Sequence, residues 1–282
     1  MNSQAPQITV VGSANVDHVA RLERLPRPGE TISDAEFERV PGGKGANQAL
    51  AAARLGARVR FVGRIGQDDL PLRSLERAGV DVSGVSRDDG ETGVALILVD
   101  ASSENVIVVA PGANRRLRPE DVDVGDADAV MSQLEIPFEA VRAARAQARF
   151  FCLNAAPARE LGPTHPLEPE PDLLVVNRYE YDHIDPGGSL VALTLGAEGA
   201  VLMERGEEVA RATPPPVTAV DGTAAGDAFC AALVVSLLQG YERGAALARA
   251  CATGALAASR PGAQPSLPTA AEVDALLRQA AG

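Results

Sequence analysis

Short β-branched runs that alternate with longer apolar segments restrict this chain more than any other feature. Ile8-Thr9-Val10-Val11-Gly12 reads as a buried first strand ended by glycine, followed by the turn Ser13-Ala14-Asn15. Residues 48–55, closed by Gly56, read as a helix, 59–65 as a strand, and 70–78 as a short helix cut off by Gly79. The alternation resumes with a strand over 129–134, a helix over 137–148, and strands over 150–154, 173–177 and 190–195. A hairpin over 201–212 and helices over 226–240, 242–258 and 269–281 complete it. Strands alternating with helices call for a mainly parallel sheet covered on both faces, so the expected class is α/β, doubly wound.

Two segments break the alternation. Asp17 to Leu22 and Glu30 to Val40 flank Pro26-Arg27-Pro28-Gly29 and read as a strand pair too polar for a core. Thr92 to Asp100 and Asn105 to Ala110 form a second hairpin with mixed faces. Together they predict a small β-sheet lid over a cleft, so residues 1–282 are expected to form a single domain with lid hairpins at about 14–40 and 92–110. Glu168-Pro169-Glu170-Pro171 reads as a surface connector, and the Ala-rich run 250–258 as close helix packing.

Composition removes several function classes. A formal net charge of −12 argues against nucleic acid or an anionic membrane as partner, because both depend on a positive field. Aromatics at 3% and no Trp leave little to stack on bases. Cys152, Cys230 and Cys251 are odd in number and far apart, which indicates neither a disulfide framework nor a zinc knuckle and suggests a reducing compartment. The N-terminal segment has no basic start, and the longest apolar run, Cys230 to Leu238, is short of the ~20 residues that span a bilayer, so a soluble cytoplasmic protein is expected.

The chemistry concentrates in Val220 to Phe229, where Asp221 and Asp227 bracket five small residues just before an apolar helix. Small residues at a helix start leave N–H groups facing an anion. A carboxylate beside a phosphate held there is suited to deprotonate an attacking hydroxyl, although an acid in a first helical turn is also favoured by the dipole alone. No P-loop, no G-x-G-x-x-G, no nucleophile elbow and no metal-spaced histidines among His18, His165 and His183 are present. Instead, Asn15-Val16-Asp17, Gly42-Gly43-Lys44-Gly45-Ala46-Asn47, Glu135, Asn177-Arg178-Tyr179-Glu180 and Thr194 to Gly199 fall mostly at strand ends, the ligand edge of such sheets. Carboxylates and amides gathered there suit a polyol.

The runs Gly-Gly-Lys-Gly-Ala-Asn-Gln at 42–48 and Ala-Ala-Gly-Asp at 224–227, with Thr92-Gly93-Val94-Ala95, Gly112-Ala113-Asn114, Gln133-Leu134-Glu135 and Asn154 to Ala158, strongly resemble the ribokinase family of sugar kinases nearly end to end. The resemblance implies that Asp227 takes the proton of the 5-hydroxyl of ribose as it attacks the γ-phosphoryl group of ATP, with backbone N–H groups of Ala224, Ala225 and Gly226 holding the developing charge. It implies sugar contacts from Asn15, Asp17, Gly43, Lys44, Asn47 and Glu135. Asn177 and Glu180 match its Asn-x-x-Glu element for Mg²⁺ and phosphates, and Thr194, Gly196 and Gly199 would line the nucleotide site. Asp221, Thr223, Ala257, Arg260, Gly262 and Ser266 resemble its monovalent-cation site, normally K⁺, and family members commonly pair as homodimers through the β layer. A kinase for deoxyribose, another pentose or a nucleoside, and a sugar-binding protein without turnover, are the competing expectations.

The chain departs from the family pattern in four places. Only 178–189 separate two strands where a helical crossover is usual. Gly222 stands where Thr is usual, Ala250-Cys251 where a His or Asn is frequent near adenine, and Leu70-Pro71 lacks a usual Gly.

Overall fold

A computed structural model describes residues 5–101, 104–157 and 170–280. The chain forms β1 (Gln7–Val11), β2 (Asn15–Arg21), β3 (Glu36–Gly42), α1 (Lys44–Arg54), β4 (Arg58–Ile65) and α2 (Leu70–Arg77). They continue as β5 (Asp81–Arg87), β6 (Gly93–Val99), β7 (Asn105–Ala110), β8 (Ala129–Gln133), α3 (Phe138–Gln147) and β9 (Phe151–Asn154). The last elements are β10 (Leu173–Asn177), α4 (Arg178–Tyr181), β11 (Leu190–Thr194), β12 (Ala200–Glu204), β13 (Glu207–Ala212), α5 (Ala225–Leu238), α6 (Arg243–Ala258) and α7 (Ala270–Ala280). His165 and the first half of the acidic connector, Glu168 and Pro169, lie outside the described residues.

Nine strands form one sheet in the order β13-β12-β11-β10-β9-β8-β1-β4-β5, parallel except at β11–β12 and β12–β13. Alternate residues of each central strand serve opposite faces: Ile8, Val10 and Met131 join α1, α2, α5 and α6 in one core, while Val11, Val130 and Leu174 join α3 in the other. This is the doubly wound expectation, and it follows from the period-2 side-chain alternation of buried strands. α5 is apolar around most of its circumference, with residues 227–236 buried, because it is enclosed by its neighbours rather than lying on the surface.

Strand numbers descend from β11 to β8 and then jump to β1, so the chain reverses its winding between β8 and β1. A crevice opens at such a reversal, at the C-terminal strand ends. Over that edge lies the second sheet, β3-β2-β6-β7, built from the strands of both expected hairpins and joined by the parallel β2–β6 pair. Its own core is small, Val19, Ala95 and Ile97, while Phe37, Leu96, Val106 and Val108 are exposed.

The short 178–189 link forms only the single turn of α4, as its length requires. Ile184 and Tyr181 nevertheless cover that part of the sheet, and Val176 and Val191 stay buried. β5 is a strand that the sequence reading did not foresee. Among the described residues, no helix is long and apolar enough to cross a membrane.

Candidate active site

The crevice begins where β1 gives way to β2. Ser13 donates from Oγ to Glu135 Oε2 at 2.5 Å, tying the strand ends on either side of the winding reversal. The same oxygen accepts from the Lys44 N–H at 3.1 Å, so Glu135 also caps the start of α1. Gly43, immediately before that helix, has φ of 91°, and a Cβ there would meet the Asn15 backbone nitrogen at 2.8 Å. Only glycine satisfies both conditions, which brings β2 against the helix start. Asn15 Oδ1 in turn accepts from Asn114 Nδ2 at 2.7 Å.

Asp227 enters from α5. Asn47 Nδ2 donates to its Oδ2 and Gln48 Nε2 to its Oδ1, both at 3.0 Å. Burial pushes the Asp227 carboxyl up, against the opposing pull of Lys44 and these two amides. Asp17 is raised to about 7 by burial, then by the charges of Glu135 and Asp227. Burial draws the Lys44 ammonium down, yet Asp227, Glu135 and Glu180 together keep it above its ordinary value. One cation facing several carboxylates in a recess is the arrangement that displaces pKa values at functional sites. Asp17 Oδ1 and Asn47 Oδ1 are buried acceptors without a partner, a feature costly to the fold unless a ligand donates to them.

Two cavities meet at the start of α5. One, of about 360 Å³, lies beneath the lid and is lined by Asn15, Asp17, Gly43, Lys44, Asn47, Glu135, Asn177, Glu180 and Asp227, with Ala95, Ile97, Ile107 and Val109 from the lid. The other, of about 550 Å³, is bounded by Gly196, Gly199, Pro214, Pro215, Pro216, Val217, Phe229, Cys251 and Ala255. Thr194, Gly222 and Gly226 border both. Thr223 and Ala224 face the first and Ala225 the second, while Ala250 is buried in the core. Ala224 has φ of 61° and turns the chain into α5. Of the three amides expected to face an anion, that of Ala225 is engaged with the Gly222 carbonyl at 3.2 Å.

Asn177 and Glu180 cap each other: the Asn177 Oδ1 accepts from the Glu180 N–H at 2.8 Å, and Glu180 Oε2 accepts from the Asn177 N–H at 2.9 Å. That reciprocal cap holds the Glu180 carboxyl in the cavity despite the short link. Burial raises the Glu180 carboxyl, while the Asn177 N–H and Lys44 oppose the rise.

Asp221, Ala257, Arg260, Gly262 and Ser266 line neither cavity. Asp221 accepts from the Thr223 N–H at 2.9 Å and hydroxyl at 2.6 Å, and from the Gly262 N–H at 2.9 Å. Burial would raise this carboxyl, but those donors hold it below its usual range. The Arg260 N–H bonds the Ala257 carbonyl at 3.2 Å, and the Ser266 hydroxyl bonds the Ala263 carbonyl at 2.7 Å. Two segments distant in sequence, 221–223 and 257–266, thus meet at Asp221 through the Gly262 N–H. Among the described residues, no group of three or more His, Cys, Asp or Glu forms a metal cluster.

Ser13, Gln48, Asn114 and Gln133 were not singled out as site residues from sequence. Gln48 had one available signal: it is an amide in a helix whose neighbours Ala46, Ala49, Ala51 and Ala52 are all buried.

The profile of pfkB family carbohydrate kinases matches residues 5–270. The ribokinase of Haemophilus influenzae is 34% identical over 97% of this chain and 99% of its own length. The deoxyribokinase of Salmonella typhimurium is 34% identical over 93% of this chain and 95% of its own. The structure of Arabidopsis thaliana ribokinase complexed with ribose and ATP superimposes with a TM-score of 0.78 at 30% identity, covering 98% of this chain and 99% of that one. With these motifs, this two-sheet architecture and a match over nearly its whole length, the chain belongs to the pfkB family of carbohydrate kinases.

Proposed function

We propose that this chain, as one lidded domain, transfers the γ-phosphoryl group of ATP to the 5-hydroxyl of D-ribose. The observation that carries the reading is the placement of Asp227: a buried carboxylate, fixed at both oxygens, where a polar cavity under the lid meets a largely apolar one. The sugar occupies the first cavity and the nucleotide the second, so the hydroxyl and the phosphoryl group meet at the first turn of α5. Asp227 accepts the hydroxyl proton as the sugar oxygen bonds to phosphorus and the bond to ADP breaks. The α5 start and Lys44 stabilise the charge that develops on the transferring group. Asn15, Asp17, Asn47 and Glu135 accept from and donate to the sugar hydroxyls, and the orphan acceptors Asp17 Oδ1 and Asn47 Oδ1 support that assignment.

Glu180, held by Asn177, is the carboxylate available to Mg²⁺ accompanying the phosphates, and an ion of this kind bound through one carboxylate and phosphate oxygens needs no all-protein cluster. Magnesium supplies neutralisation of phosphate charge. The Asp221 loop, with oxygens from Thr223, Ala257, Arg260, Gly262 and Ser266, has the hard donors that suit K⁺ and would be stiffened by it. The exposed apolar residues Phe37, Leu96, Val106 and Val108 on the outer lid face support a homodimer, which a monomeric mass in solution would contradict.

Release of ADP measured over ribose, 2-deoxyribose, other pentoses and nucleosides, with Mg²⁺ and with or without K⁺, tests the assignment. Ribose should give the highest kcat/KM. A preference for 2-deoxyribose would move the chain to the alternative supported by its 34% identity to the Salmonella deoxyribokinase. Asp227→Asn should lower kcat by about 10³-fold while ribose binding is kept. Sugar binding without turnover by the unaltered protein would leave only the binder.

A further inference from the structure

Gln48 and Gln133 are completely buried, and neither lines a cavity. Two primary amides in an apolar interior are a liability unless hydrogen bonds compensate them. Here the bonds run in one direction. Gln133 Nε2 donates to Gln48 Oε1 at 2.7 Å, and Gln48 Nε2 donates to Asp227 Oδ1 at 3.0 Å and to Asn154 Oδ1 at 3.2 Å. Asn154 is itself fixed through Nδ2 to the Val175 carbonyl at 3.3 Å.

The polarity of this chain of amides is dictated by its end. An ionised carboxylate only accepts, so the Gln48 nitrogen must face Asp227 and its oxygen must face away. Gln133 then has to present its nitrogen, which leaves Gln133 Oε1 as the unpartnered end. That oxygen lies against Gly12, where an added Cβ would collide with it. Asn47, the preceding residue on α1, fixes the other Asp227 oxygen, so consecutive amides grip both from one side.

We propose that Gln48, locked in a single amide orientation by Gln133, is a positioning residue that keeps Asp227 aimed into the sugar cavity and ready to accept a proton. This rests on Asp227 being the base. Burial already pushes that carboxyl up, and donation from Gln48, with that from Asn47 and the charge of Lys44, restrains it. The other charged or titratable groups facing Asp227 are Lys44 on α1, Glu135 after β8, Asp17 on β2 and Cys230 on α5. None of them is altered by replacing the two glutamines.

The test is steady-state kinetics from pH 5 to 9 on Gln48→Met, Gln133→Met, the double variant and Asp227→Asn. Gln48→Met should lower kcat about 10- to 100-fold, with sugar KM within about threefold and the acid limb of kcat displaced upward by about one pH unit. Gln133→Met should shift the same limb in the same direction but less, although two hydrogen bonds separate it from the carboxylate. The double variant should be no worse than Gln48→Met, because Gln133 acts through Gln48. Gln48→Glu keeps the shape and should also displace the limb upward, which serves if the Met variant does not fold. An unmoved acid limb in folded Gln48 variants, or additive losses in the double variant, overturns the proposal. Turnover retained by Asp227→Asn would instead dispose of the base assignment beneath it.

Discussion

The two cavities that meet at α5 are built by opposite means. The cavity under the second sheet, to which the sugar is assigned above, is held by side-chain bonds between residues distant in sequence: Asn47 to Asp227 across 180 positions, Ser13 to Glu135 across 122, Asn114 to Asn15 across 99. The cavity assigned above to the nucleotide is walled mainly by glycine, proline and small apolar residues, with Phe229 beside them, so its shape is set largely by the backbone. Specificity on the first side therefore depends on individual polar atoms. On the second it depends on the absence of side-chain atoms. The two should fail in different ways when altered.

The largest contrast is expected at Asp17. Asp17→Asn keeps the shape and removes a charge and an acceptor, and should lower kcat/KM for the sugar by about 10- to 100-fold with nucleotide KM little changed. The same variant reports on stability. The folded carboxyl, at about 7, binds its proton more tightly than the unfolded one at 3.8. Its contribution is fully present below pH 3.8 and is lost as the pH rises through 7. Asp17→Asn should therefore be more stable than the unaltered protein at pH 8, by on the order of a few kcal/mol, with the gap narrowing toward pH 5. Parallel melting curves across that range would show that the sugar side does not carry this electrostatic load.

An intermediate effect is expected from Gly199→Ala. Gly199 has φ of 98°, and a Cβ would collide with the Ala212 carbonyl oxygen, so the turn from β11 to β12 must move. The cost should be about 1–3 kcal/mol. Nucleotide KM should rise about tenfold while sugar KM stays within twofold, the reverse of Asp17→Asn. If both constants rise together, the cavities are not separable in the way their construction suggests.

The same contrast explains what the sequence disclosed. Val10, Val11 and Val130 announced strands because buried parallel strands are continuous apolar runs. The Gly-Gly-Lys-Gly run marked a helix start where a Cβ at Gly43 or Gly45 would collide with the backbone after β1, and the Ala-Ala-Gly-Asp run marked another, although a Cβ at Gly226 would meet no atom. β5 escaped because Asp81-Val82-Ser83-Gly84-Val85-Ser86-Arg87 is a half-exposed edge strand with polar residues and an interior glycine, weak in every β signal. The amide chain Gln133–Gln48–Asp227 escaped for another reason. Local periodicity places a glutamine on a helix, but its partners 85 and 179 positions away are chosen by sheet order and register. The wall of the second cavity was legible in Thr194 to Gly199, Ala225, Gly226 and Cys251, whereas prolines 214–216 and Ala255 carry no chemistry that a pattern can reveal.

The smallest effect should come from Gly222→Thr, which tests whether every glycine between the cavities is required. Gly222 borders both cavities, yet a Cβ there meets no atom within 4 Å, unlike the one at Gly199. Its φ is not in the left-handed region, so a side chain imposes no backbone penalty. Replacing glycine at such a position restricts the unfolded chain more than the folded one, and should stabilise the protein by about 0.4–1 kcal/mol. The thermal midpoint should rise by about 1–3 °C, with kcat/KM for both substrates within threefold. A loss of more than tenfold would mean that the loop between Asp221 and Asp227 must pass through a conformation open only to glycine during turnover. The link between the two cavities would then be set by backbone freedom rather than by the side chains on one side and the wall on the other.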